Sequence, residues 1–134
     1  MNFFNISQNQ LKQYISYKDD SMKNTIVKLN SVYGLFQIIL DANNKLVGTL
    51  TDGDIRRGIL KGHDINEKVE VFMNKNPIFS FKEKKDDHIK LLSSIEREPF
   101  FLPILYNARE LLAILIKDDN KNISQAIIMA GGLG

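Results

Sequence analysis

Apolar and polar positions along the chain fall into short blocks. Ser21 precedes Met22, Ile26 and Leu29, a stripe at helical spacing, and predicts a helix capped by that hydroxyl. Gly34 ends the connection. Leu35-Phe36-Gln37-Ile38-Ile39-Leu40 has the large and β-branched content of a strand. Asp41-Ala42-Asn43-Asn44-Lys45 has hairpin chemistry, because Asn and Asp tolerate positive φ. Leu46-Val47-Gly48-Thr49-Leu50 is the return strand. Thr51-Asp52 then predicts a second helix start, with Ile55, Ile59 and Leu60 inward and Gly62 just beyond its end.

The same order recurs. Pro77-Ile78-Phe79-Ser80 predicts a short strand, and Asp86 begins a helix with Ile89, Leu92 and Ile95 on one face. Pro99 and Pro103 punctuate an apolar strand from Phe100 to Leu105, Asn107-Ala108-Arg109 turns, and Leu111 to Ile116 returns. At an offset of 65 residues Gly48 meets Ala113, Leu50 meets Leu115 and Asp54 meets Asp119. The pattern predicts an α+β chain of two degenerate β-α-β-β-α repeats, 1–65 and 66–119, related by a pseudo-two-fold axis. Residues 120–134 follow as a separate segment. One unrepeated α+β domain is the competing pattern. A single copy would leave an apolar sheet face exposed, so the two copies are expected to pack together around a cleft.

Composition removes several classes of function. The 134 residues include no Cys, which excludes a disulfide scaffold, thiolate-bound zinc and a cysteine nucleophile. Two histidines, His63 and His88, lie far apart and make no metal centre. The net charge of +2 is shared evenly between the two halves, and the Lys82, Lys84, Lys85 cluster is interrupted by Glu83 and followed by Asp86 and Asp87. Nucleic-acid binding needs a sustained positive face, so it is not expected. No apolar run approaches the ~20 residues of a membrane helix, and the first residues have no basic region ahead of an apolar stretch. A cytoplasmic location is expected.

The densest chemistry lies in Gly48-Thr49-Leu50-Thr51-Asp52-Gly53-Asp54-Ile55-Arg56-Arg57. A strand ends and a helix begins at Thr51. Helix N-termini present N–H groups and partial positive charge, which suit phosphate. Asp54 lies one turn on, where a carboxylate can accept from the vicinal hydroxyls of a ribose, and Arg56 and Arg57 carry forked donors for phosphate. Thr51 as N-cap with Asp54 three residues later is also the spacing of an ordinary capping box. The residues alone leave both readings open.

The repeat, with its first-copy ending Gly48, Thr51, Asp54, Ile55 and Arg57 behind Leu46-Val47, resembles a CBS domain pair, or Bateman module, over roughly residues 10–119. The resemblance implies that Thr51 and Asp54 hold phosphate and ribose of an adenine nucleotide, that Thr49 touches the base, and that Pro77-Ile78-Phe79 closes the pocket. It also implies a homodimer. The second copy departs from the pattern. Ala113 replaces Gly, Ile116 stands at the Thr position and Lys117-Asp118-Asp119 replaces Asp52-Gly53-Asp54, so one nucleotide site is expected, at Asp54.

After residues 118–124, Gln125 to Ala130 has a strand pattern and runs into Gly131-Gly132-Leu133-Gly134. Glycines after a strand let backbone N–H groups approach phosphate. This end resembles the opening strand and phosphate loop, Gly131, Gly132 and Gly134, of sugar-1-phosphate nucleotidyltransferases of the mannose-1-phosphate guanylyltransferase kind. The resemblance implies a regulatory module cut just inside a catalytic domain. Such a segment has no metal, base or sugar site, so no catalysis and no metal are expected of it, and Mg belongs to the parent's catalytic domain. Residues 125–134 are expected to have no sheet of their own to join. The function expected is control of a nucleotide-sugar-forming transferase by an adenine nucleotide. A ligand-free dimerisation scaffold for the same enzyme is the alternative.

Overall fold

The computed structural model describes residues 2–5, 8–117 and 125–130. Two compact units divide the chain. One is Gln13–Pro77; the other joins Met1–Lys12 to Ile78–Gly134.

The Gln13–Pro77 unit has a three-stranded sheet. β2 (Ile15–Tyr17) lies parallel to β3 (Phe36–Leu40), and β3 pairs antiparallel with β4 (Leu46–Thr51). All five residues of β3 are buried, which is why it reads as a nearly continuous apolar run. Its one polar residue, Gln37, is fully satisfied. Ser16 Oγ donates to Gln37 Oε1 at 2.7 Å, and Gln37 Nε2 donates to the Gln13 carbonyl at 2.9 Å. Helix α2 (Met22–Asn30) starts at Ser21, whose hydroxyl accepts from the Asn24 N–H, as its sequence predicts. Helix α3 (Asp52–Leu60) follows β4 without a loop. Met22, Leu29, Ile39, Leu50, Ile55, Val69 and Phe72 form the core between helices and sheet.

The second unit has a five-stranded sheet in the order β1-β8-β7-β6-β5. Its strands are β1 (Asn2–Asn5), β5 (Ser80–Phe81), β6 (Phe101–Leu105), β7 (Leu111–Lys117) and β8 (Gln125–Ala130). Helix α1 (Gln8–Lys12) follows β1. Helix α4 (Lys85–Ser94) packs Leu92 against Leu102, Ile104, Ala113 and Leu115.

The repeat holds to the residue. β3 and β4 pair Phe36 with Thr51, Ile38 with Thr49 and Ile39 with Gly48, and shift register between Ile39 and Leu40. Adding 65 to each number gives the β6–β7 register, Phe101 with Ile116, Pro103 with Ile114 and Ile104 with Ala113, with the same shift between Ile104 and Leu105. The turns match too. Asn44 and Arg109 both have positive φ, and Asp41 N–H to Lys45 carbonyl becomes Tyr106 N–H to Glu110 carbonyl. An αL residue at that place is what this hairpin bulge requires.

Several expectations need correction. The predicted strand at Pro77–Ser80 lies at Ser80–Phe81, where the backbone pairs with Ile104 and Leu105. Helix α4 starts at Lys85, one residue before Asp86. Ile59 and Leu60 are exposed. The inward stripe of α3 is Ile55 and Gly58, and Leu60 lies about 200° round the helix from Gly58. The compact unit that begins at Gln13 ends at Pro77, where Val69 and Phe72 complete its core and Asn74 bonds to Thr49. Residues 125–130 do join a sheet. β8 pairs antiparallel with β7 and parallel with β1, covering a β7 edge that would otherwise leave backbone groups unpaired.

Candidate functional site

Strand β4 delivers its last residue, Thr51, as the N-cap of α3 in extended conformation. The capping box is complete. The Asp54 N–H donates to Thr51 Oγ1 at 3.4 Å, and Asp54 Oδ2 accepts from the Thr51 N–H at 2.9 Å. The Thr51 hydroxyl also donates to Oδ2, at 3.0 Å. The other carboxylate oxygen, Oδ1, accepts from Arg57 Nη2 at 2.7 Å. The Asp54 side chain is 11% exposed and that of Arg57 is 65% exposed. A partly buried carboxylate thus presents one oxygen to the helix start and the other to a solvated guanidinium.

Thr51, Asp54 and Arg57 therefore form one cluster. Arg56 points elsewhere, to Asp52 at 3.6 Å on the exposed face of the helix. The first turn of α3 carries two carboxylates, Asp52 and Asp54, which already complement the positive helix end. An arriving phosphate would meet the arginines on better terms than the helix terminus itself. Gly53 has its place in this arrangement, since a Cβ there would lie 3.1 Å from Arg57 Nη1.

Thr49 is buried, and its backbone is bridged to Asn74 in both directions, at 3.1 and 2.8 Å. That approach depends on Gly48. A Cβ on it would sit 2.8 Å from both the Asn74 carbonyl oxygen and Met73 Sδ. The segment from Val69 to Asn74 is the element sequence reasoning missed. It is a short 3-10 turn followed by a single bridge, and its apolar residues, Val69 and Val71-Phe72-Met73, are too few to show a helix or strand period. The glycines at 48 and 58 were the available signal, because each marks a close approach by this segment.

Pro77 is the last residue of the first unit, and Ile78 and Phe79 begin the described part of the second after α1. Ile78 is exposed. Phe79 is half-buried, edge-on to Phe81 at 5.5 Å between centroids, with the Arg109 guanidinium 4.8 Å from its ring centre. Asp119 and the glycines Gly131, Gly132 and Gly134 lie outside the described residues. Among the described residues no group of three or more His, Cys, Asp or Glu side chains is placed to hold a metal ion. No helix among them is long and apolar enough to cross a membrane.

No protein-family model matches the sequence. The chain is 33% identical over 94 residues to an uncharacterized protein of Helicobacter pylori strain J99, covering 70% of this chain and 27% of that one. It is 34% identical over 82 residues to one from strain 26695, covering 61% and 23%. The chain thus spans about a quarter of the length of the curated relatives it matches. Among solved structures it is similar to the cystathionine β-synthase pair domain of SO5017 from Shewanella oneidensis, with TM-score 0.63, 16% identity and coverage of 76% and 58%. It is similar to CBSX2 in complex with AMP, with TM-score 0.60, 20% identity and coverage of 77% and 80%. The CbpB protein of Listeria monocytogenes in complex with c-di-AMP gives TM-score 0.60, 20% identity and coverage of 77% and 79%. With two units built on one β-α-β-β register and these neighbours, the chain has the fold of a CBS domain pair.

Proposed function

We propose that this chain is a regulatory module that binds an adenine nucleotide at the start of α3 and passes the binding event to an adjoining catalytic domain. The observation that carries the reading is the Thr51–Asp54–Arg57 cluster, in which a partly buried carboxylate, a hydroxyl and a guanidinium meet at a strand-to-helix junction. Asp54 is the acceptor for the ribose diol and Arg57 supplies a phosphate contact, which Thr51 and Arg56 join only by releasing their own bonds to Asp54 and Asp52. Thr49, Pro77, Ile78 and Phe79 are assigned to the base. Support comes from two similar folds, one solved with AMP and one with c-di-AMP. Regulation follows if the nucleotide has different affinity for two states of the whole protein.

The adjoining domain is proposed to be a sugar-1-phosphate nucleotidyltransferase, with Mg bound there. The sequence Gly131-Gly132-Leu133-Gly134 after an apolar segment is the feature behind this proposal. The test is calorimetry of the chain against AMP, ADP, ATP, c-di-AMP, GTP and S-adenosylmethionine. An adenine nucleotide should bind, and Asp54→Ala should weaken it at least about tenfold, because charge-assisted hydrogen bonds are worth roughly 1.5–3 kcal/mol each. Asp119→Ala should leave affinity nearly unchanged. Equal losses from the two changes would refute the choice of site.

A second reading, a ligand-free homodimerisation scaffold, is favoured by one observation. Val27, Ile59 and Leu60 are exposed apolar residues on the two helices of the first unit. No binding by any of the six ligands would select it.

A further inference from the structure

The cluster at α3 leaves its carboxylate little room for a new partner. A carboxylate has about four acceptor sites. Two at Oδ2 are taken by the Thr51 N–H and hydroxyl, and one at Oδ1 by Arg57. A vicinal diol brings two donors. The Oδ2 bonds belong to the helix cap, and breaking them would uncap α3. The Oδ1 bond belongs to a side chain that is 65% exposed and has a long flexible stem, so it is the cheaper one to release.

We propose that Arg57 is a specificity-determining residue that competes with the ribose for Asp54 and so selects nucleotides over nucleosides. The proposal rests on the nucleotide-binding reading above. The guanidinium holds Oδ1. A ribose diol displaces it. A nucleotide then offers the released cation a phosphate, so the ion pair is exchanged for another. A nucleoside offers nothing, and the lost ion pair counts fully against it. Gly53 is part of the device, since the resting guanidinium lies over its backbone, with Nη1 and Nη2 at 3.1 and 3.3 Å from where a Cβ would be. An alanine there crowds the resting position of Arg57 without removing its charge.

The experiment compares AMP and adenosine by calorimetry on the whole chain, wild type against Arg57→Met and Gly53→Ala. Thermal unfolding checks that each variant folds. Exposed ion pairs are weak, so Arg57→Met should bind adenosine about two- to fivefold more tightly than wild type. It should bind AMP more weakly, and the AMP-to-adenosine preference should fall by about tenfold. Gly53→Ala should also tighten adenosine, by a smaller factor. Adenosine has no charge, yet its affinity for wild type should rise from 50 to 300 mM salt, because screening weakens the Arg57–Asp54 pair. In Arg57→Met that rise should disappear.

Equal weakening of both ligands in Arg57→Met would overturn the proposal, since Arg57 would then only support Asp54. Weaker AMP with unchanged adenosine would overturn it too, leaving a simple phosphate contact. Adenosine undetectable with every chain while AMP binds wild type has the same consequence. Binding of neither ligand, nor of any other nucleotide, to wild type would instead remove the nucleotide-binding reading itself.

Discussion

Replacing Gly58 with alanine sets two effects of opposite sign against each other. Gly58 lies in the last half of α3, where Ala is better than Gly by about 1 kcal/mol in an exposed helix interior. It is not exposed. A Cβ at position 58 would lie 2.3 Å from Phe72 Cδ1, 2.6 Å from Cε1 and 3.2 Å from Cγ. The contact reaches the root of the ring, so a small rotation of its tip cannot relieve it. Phe72 is itself buried among Met22, Leu29, Ile39, Leu50, Ile55 and Val69 and has no free volume to enter. Overpacking of this kind typically costs about 1–3 kcal/mol. The clash therefore outweighs the propensity gain, with a net loss of up to about 2 kcal/mol, or up to roughly 7 °C in Tm for a chain of this size. Phe72 also holds the segment that bonds Asn74 to Thr49, so hydrogen exchange at the Thr49 and Asn74 amides should speed up. Urea unfolding reads the first effect. A double-mutant cycle with Phe72→Leu identifies the cause, because the smaller side chain should restore part of the loss caused by the alanine. A higher unfolding midpoint for Gly58→Ala alone, or strict additivity in the cycle, would refute the reasoning.

Other expectations follow from single groups. Asp54→Ala should lower stability by about 1–2 kcal/mol in urea unfolding, since it removes the acceptor of both Thr51 donors and the helix loses half its capping box. Asp41 has its carboxyl held below the ordinary range chiefly by the Lys45 backbone N–H, with the Asn43 N–H assisting. Its folded pKa is the lower one, so its contribution is present above about pH 4 and is lost as pH falls through the folded value. The stability advantage of wild type over Asp41→Asn should therefore shrink below about pH 4; an advantage that grows on acidification would contradict the sign. Leu60→Lys should leave the unfolding midpoint nearly unchanged, because the side chain is 80% exposed and a cation suits the end of α3. If α3 takes part in self-association, the same change should lower the mass seen by light scattering; a single-chain mass for the wild type at high concentration would refute the homodimer.

The parts of the fold legible in the sequence are those where one residue type has one physical use. Ser21 and Thr51 cap helices because a hydroxyl before an apolar stripe has little else to do. The β3–β4 and β6–β7 hairpins were legible because strand content and turn chemistry agree at Asn44 and Arg109. The bounds of β5 and the Val69–Asn74 segment were not legible. Both are held by backbone pairing to distant residues, Ser80 to Ile104 and Asn74 to Thr49, and such pairing leaves no periodicity. At the site, the spacing of Thr51 and Asp54 allowed a capping box or a diol acceptor, and the geometry contains the capping box with one carboxylate oxygen turned to Arg57. The role of Arg57 was hidden because a basic residue three positions after an acid can pair along the helix or face a ligand, and spacing alone does not choose.

The two copies share a register but not a fate, and the difference lies at one pair of equivalent positions. Thr51 is opposite Phe36, as Ile116 is opposite Phe101. At Thr51 the strand stops, because the hydroxyl caps the helix that Asp52 begins. Ile116 has no group that can accept from a helix N–H, and the residue after it is Lys117, a cation that a helix start disfavours. The strand therefore runs on to Lys117, and both residues enter the ladder with β8, Ile116 opposite Ile127 and Lys117 opposite Ala126. Ile116 is fully buried there, whereas Thr51 stays partly open beside its carboxylate. The backbone that frames the Thr51–Asp54–Arg57 cluster in one copy is spent on extending a sheet in the other. Ile116→Thr alone should therefore not create a second cluster like Thr51–Asp54–Arg57. It would bury a hydroxyl in a continuous strand, with β8 still on its edge.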